Sequence, residues 1–151
     1  MIRAIVLTGA LGFFTVSAPS TPAAVATDDT EAIEAAALDY IEGFYTGDAD
    51  RLRRSVRPEV TKYGFARRSA DQPYQGSAMP FEEMLAYAEH VRTSGDTAPA
   101  DAPKEVEILD AMDQIAVVKV TAFWGSDYLQ MAKYEGRWMI LHVIWQTPSA
   151  D

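Results

Sequence analysis

The chain of 151 residues contains no cysteine. That excludes disulfides, thiolate metal sites, a cysteine nucleophile and a lipid-modified cysteine after a leader. Basic residues are few: 13 Lys and Arg stand against 22 Asp and Glu, for a net charge of −9. With no broad positive field to neutralise phosphates, nucleic acid is not an expected partner. Histidine is scarce too. His90 and His142 lie far apart in sequence and form no i, i+4 pair, so no transition-metal site is expected. There is no Gly-rich phosphate loop and no nucleophile elbow, and the reading is cofactor-free. No apolar run reaches the roughly 20 residues of a spanning helix. What remains is a chain 48% hydrophobic and 11% aromatic, too apolar for disorder and of the length of one ordinary domain.

The amino terminus reads as a secretory signal. Arg3 supplies a positive start, Ala4 to Val16 is mostly apolar and uncharged, and Pro19 and Pro22 precede Ala24-Val25-Ala26. This is the small-residue pattern that a signal peptidase cuts. Residues 1–26 are therefore expected to be removed, leaving residues 27–151 as one secreted or periplasmic domain.

That domain changes period halfway along. Ile33, Ala36, Ala37, Tyr40, Ile41, Phe44 and Tyr45 form one helical stripe, ended by Gly47. Asp48 caps a short second helix, Ala49 to Ser55, with Pro58 as its limit. Val60 to Gln75 predicts a short strand and then a loop. Pro80 opens a third helix carrying Phe81, Met84, Leu85, Ala88 and Val91. From Glu105 the period is two. Strands are expected at Glu105 to Ala111, Gln114 to Trp124, Asp127 to Tyr134 and Arg137 to Gln146, with short turns making an antiparallel meander. Helices first and strands after is an α+β layout, three helices on one face of an antiparallel sheet.

Two-residue loops at Gly125-Ser126 and Glu135-Gly136 set a register. Trp124 then faces Asp127, Val120 faces Met131, Met131 faces Ile140 and Leu129 faces His142. One face collects Val118, Val120, Ala122, Trp124, Asp127, Leu129, Met131, Trp138, Ile140 and His142. It is nearly all apolar, so the helices should cover it, with Asp127 and His142 diagonal neighbours. A three-residue loop at Tyr134-Glu135-Gly136 is the competing register and sets Tyr128 beside His142. The last strand is apolar on its other side as well, at Met139, Leu141, Val143 and Trp145. Such a face predicts a homodimer through the sheet, or a flanking segment lying over it.

Phe44-Tyr45-Thr46-Gly47-Asp48, then Arg57-Pro58, then Ser126-Asp127-Tyr128-Leu129-Gln130-Met131-Ala132-Lys133 and Glu135-Gly136-Arg137-Trp138 closing on Trp145 together resemble the lumazine-binding family of the NTF2-like superfamily. The resemblance implies a cone, with helices against a strongly curved antiparallel sheet and a pocket at its open end. Ketosteroid isomerase, scytalone dehydratase and polyketide cyclases are its distant relatives. The family name implies a pterin-like ligand.

Several residues are candidates for such a pocket. A carboxylate at Asp127 beside the imidazole of His142 would orient it as a general acid or base. Tyr40, Tyr63 and Trp124 offer hydroxyl donors and flat walls for an aromatic or ring-shaped small molecule. Arg57, at a helix end near the expected mouth, suits an anionic group. The reading is a small-molecule-binding protein. An isomerase, dehydratase or cyclase using His142 with Asp127 is the alternative, and a protein-interaction module using the outer sheet face is a second.

Overall fold

The computed structural model describes residues 27–148. The expected signal peptide, residues 1–26, lies outside the described residues. Among the described residues no helix is long and apolar enough to cross a membrane.

Helix α1, Thr27–Thr46, buries Ile33, Ala36, Ala37, Tyr40, Ile41, Phe44 and Tyr45, the stripe read from the sequence. Helix α2, Ala49–Ser55, starts on the Asp48 carboxylate, which accepts from the backbone N–H groups of Asp50 and Arg51. Its Leu52 is wholly buried. Burial of a side chain of this size stabilises by about 1.5–3 kcal/mol. After strand β1, Val56–Ala66, and the short β2, Gln75–Ala78, helix α3 runs Phe81–Ser94. It buries Phe81, Met84, Ala88 and Val91. Strands β3, Glu105–Ala111, β4, Ile115–Ala122, β5, Gly125–Tyr134, and β6, Arg137–Gln146, complete the chain.

The three helices pack on a six-stranded sheet of order β2-β1-β6-β5-β4-β3. The expectation of an antiparallel sheet needs correction, because β1 and β6 run parallel and the sheet is mixed. β1 is also longer than expected and begins directly after α2. The helical segment 81–94 lies between β1 and the final meander, so the chain can return to β1's edge in the parallel sense.

The register differs from the expected one in two places. The β4–β5 turn is Phe123-Trp124, with Ala122 paired to Gly125 and Val120 to Asp127. Gly125 is instead the first residue of β5, at φ 136°. The slip moves each pairing by an even number of residues, so the face of every β4 and β5 side chain is unchanged. The β5–β6 turn is Glu135-Gly136 as expected, with Tyr134 paired to Arg137 and φ of 49° and 79° at the two turn residues. Those positive angles suit a two-residue hairpin of the I′ kind.

The second difference changes faces. Met131 pairs with Ile140, but Gln130 pairs with His142 and Leu129 with Val143. Leu141 is an extra residue on β6, a β-bulge that reverses the alternation beyond it. Val143 and Trp145 therefore turn inward, Val143 into the core and Trp145 against it. His142 turns outward and is exposed. The expected outer stripe Met139, Leu141, Val143 and Trp145 is thus corrected. The exposed apolar groups of that sheet face include Tyr63, Phe65, Ile115, Tyr128 and Ile144, and Tyr63, Ile144 and Tyr128 form one cross-strand row.

Candidate functional site

The inward alternation of β1 runs Val60, Lys62, Gly64, all buried, while Thr61, Tyr63 and Phe65 point the other way. A lysine thus sits in the middle of a core-facing row, with its side chain 5% exposed. Two residues on, Gly64 lies under the Trp145 indole. A Cβ there would stand 1.8 Å from Trp145 Cε2 and Nε1. Absence of a side chain at Gly64 is what admits the Trp145 ring to the inner face.

Opposite Lys62 lies Asp127, on the inward face of β5 and fully buried. Its carboxylate accepts from three donors. The Tyr40 hydroxyl, from α1, donates to Oδ2 at 2.5 Å. The Trp124 indole Nε1–H, from the β4–β5 turn, donates to Oδ1 at 2.6 Å. The Lys62 ammonium stands 3.2 Å from Oδ2 and also donates to the Tyr40 oxygen. Burying a charge pair is costly unless each partner is further hydrogen-bonded. Here the two neutral donors hold the carboxylate, and the rings of Tyr40, Phe44 and Trp145 surround the ammonium at 5.1, 5.4 and 5.4 Å from their centroids.

Burial pushes the Lys62 ammonium below the usual lysine range, and the nearby Asp127 charge opposes that shift. Burial, reinforced by the Asp127 charge and hydrogen bond, pushes the Tyr40 phenol well above its ordinary value. Tyr40 therefore remains a donor throughout the physiological range. Because its folded-state value is raised, its contribution to stability is complete at neutral pH and is lost only at alkaline pH.

Above this network lies a cavity of about 170 Å³ lined by Phe44, Lys62, Met79, Tyr87, Phe123, Trp124 and Trp145. Five of the seven are aromatic, and Lys62 carries the one charged head among them. Phe44 is the hub of the wall, edge-on to Tyr40 at 5.1 Å, to Trp124 at 5.6 Å and to Tyr87 at 5.7 Å. Such edge-to-face pairs are the favoured geometry of aromatic rings. The Phe123-Trp124 turn is held to α1 by Tyr45, whose hydroxyl accepts from the Phe123 N–H at 2.9 Å and donates to the Pro103 carbonyl. Tyr87 and Phe123 are half-exposed and form the solvent edge of the cavity.

The structure brings together three of the residues singled out by sequence, Tyr40, Trp124 and Asp127. It separates the other three from them. His142 lies on the outer face and contacts the Thr61 hydroxyl through Nδ1, so the expected Asp127–His142 pair is corrected: the sheet stands between them because of the bulge at Leu141. Tyr63 is 45% exposed on the same outer face, its ring edge-on to Phe65 rather than in the cavity. Arg57 pairs with Glu59 at 2.7 Å and stacks over Tyr134 at 4.4 Å, away from the cavity lining. Lys62, Phe44, Met79, Tyr87, Phe123 and Trp145 are the lining residues that sequence reading missed. The alternation Val60-Lys62-Gly64 was the available signal for Lys62, obscured by the apolar alternative Tyr63-Phe65 on the opposite face.

Known structures share this arrangement of elements. An NTF2-like protein of unknown function from Methylobacillus flagellatus KT superposes with a TM-score of 0.62 at 18% identity, over 86% of this chain and 100% of that one. One from Shewanella baltica OS155 gives 0.61 at 19% identity, over 83% and 98%. A ketosteroid isomerase-like protein from Erwinia carotovora atroseptica SCRI1043 gives 0.54 at 18% identity, over 82% and 99%. At these identities the likeness is one of fold. No curated protein matches the sequence. The family model described as "Putative lumazine-binding" matches residues 28–146, and the chain belongs to that family, within the NTF2-like superfamily.

Proposed function

We propose that this is an exported small-molecule-binding protein whose cavity takes a compact aromatic compound carrying a hydrogen-bond acceptor. The observation that carries the reading is a single ammonium, Lys62, in a cavity otherwise walled by five rings and Met79. A cavity of about 150 Å³ holds a benzene ring, so about 170 Å³ sets the ligand near one ring with a small substituent. The rings supply contact area, and Lys62, positioned by Tyr40 and Asp127, supplies orientation.

Benzamide, a ring bearing an unreactive carbonyl acceptor, is the probe. Titrated into the full chain, it should quench the fluorescence of Trp124 and Trp145 saturably. Lys62→Met should weaken binding about 10- to 100-fold, the worth of one charge-assisted hydrogen bond. Equal affinity in the variant, or no saturable quenching, would rule the reading out. The same reading has the working form begin at Thr27 and pair with a second copy over the outer face, where Tyr128 and Ile144 are exposed. A secreted protein that retains Met1, or that sediments as a monomer at micromolar concentration, would remove those parts.

A further inference from the structure

Lys62 differs from an ordinary binding lysine in what touches its nitrogen. We infer that the Lys62 amine is a covalent attachment point for a small aromatic aldehyde or ketone, captured in the cavity as an imine. The inference rests on the pocket reading above and adds a reaction to it.

Three features of the geometry support it. The first is access: Lys62 lines the cavity and is the one lining residue with a nucleophilic nitrogen. The second is a route for its proton. The Lys62 nitrogen donates to the Tyr40 oxygen, and the Tyr40 hydroxyl donates to Asp127 Oδ2. A proton leaving the ammonium can enter the Tyr40 oxygen as the Tyr40 proton passes to Asp127, leaving a neutral amine beside a neutral acid. Burial favours the uncharged amine, which is the direction in which the basicity of Lys62 is lowered. The third is the fate of the product. A protonated imine keeps the positive charge where the ammonium had it, within 5.1–5.4 Å of the Tyr40, Phe44 and Trp145 rings and beside Asp127. The surroundings that accept the ammonium also accept the iminium.

The step balances without an oxidant. The amine lone pair forms a C–N bond to the carbonyl carbon, and the C=O π pair moves to oxygen, which takes a proton. The oxygen then departs as water, carrying the two protons lost by the amine, a C=N bond replaces the C=O bond, and the proton held on Asp127 returns through the Tyr40 hydroxyl to the imine nitrogen, giving the iminium. A desolvated lysine among apolar walls is the usual setting for such chemistry.

Benzaldehyde with sodium cyanoborohydride tests this on the full chain at neutral pH. The added hydride converts any imine to a stable benzyl amine, read by intact mass and peptide mapping. The chain has three other lysines, Lys104, Lys119 and Lys133, which serve as internal references. The expected result is one benzyl group on Lys62, added faster than on the other three, since burial lowers the basicity of Lys62 and so raises its neutral fraction. Excess benzamide should suppress that labelling, and Tyr40→Phe, which keeps the ring but lacks the relay oxygen, should slow it. Labelling of Lys62 no faster than of the other lysines overturns the inference, whatever the stability of any variant. If benzamide still quenches the tryptophans in that case, the pocket reading stands and the covalent step alone falls. If benzamide does not bind either, both fall.

Discussion

The two faces of the sheet treat their polar groups in opposite ways. On the inner face Asp127 is fully buried, and its carboxylate is held by Tyr40, Trp124 and Lys62. On the outer face His142 is exposed and meets the hydroxyl of Thr61, its neighbour across the β1–β6 pairing. The chemistry of a carboxylate and an imidazole did not decide this. Depth did. A buried charge must be matched by donors or the site does not hold together, whereas an exposed group exchanges its partner for water at little cost. The inner-face cavity of this chain is thus backed by a buried polar network, while its outer face carries the exposed row of Tyr63, Ile144 and Tyr128.

The contrast can be broken most sharply at Asp127. Asp127→Ala would leave the Lys62 ammonium without its counter-charge, together with the Tyr40 and Trp124 donors, all in a dry site. Removing one member of a buried pair costs about 3–5 kcal/mol, so urea unfolding should show a loss of that size. A loss below about 1 kcal/mol would mean that water reaches Lys62 and that the network is not buried in solution. Gly64→Ala tests the wall rather than the floor. The new Cβ collides with the Trp145 indole, and overpacking of this kind costs about 1–3 kcal/mol. The ring must move, so benzamide affinity should fall as well. Unchanged affinity with lowered stability would take Trp145 out of the ligand's surroundings. His142→Ala should do least, under about 0.5 kcal/mol, with ligand affinity unaltered. A large effect there would place His142 in the site after all and undo the assignment of faces.

Much of the fold was legible because it depends on local pattern. The α1 stripe from Ile33 to Tyr45, the Asp48 cap, the bounds of α2 and the strands at 105–111 and 137–146 all follow from periodicity and turn residues. The inward set on β4 and β5 also survived an error in turn position, because the error was even and the side-chain period is two. Asp127 was recognised as inward for that reason, and Tyr40 from the helical stripe of α1. Lys62 was not, since a charged residue in a strand is ordinarily read as solvated.

Local pattern therefore determined the elements, their order and the composition of most of the inner face. Three things were decided only by the tertiary structure: the parallel seating of β1 beside β6, the bulge at Leu141, and the inward turn of Lys62. Each depends on a partner distant in sequence. Lys62 is inward because Asp127 waits 65 residues away. Trp145 fits inward because Gly64 leaves room for its ring. Once the bulge had placed Val143 and Trp145 in the core, His142 had no side left but the outer one. Periodicity describes a strand against an average environment, whereas a single inserted residue or a single buried counter-charge belongs to one particular neighbour, and only the folded chain brings that neighbour into contact.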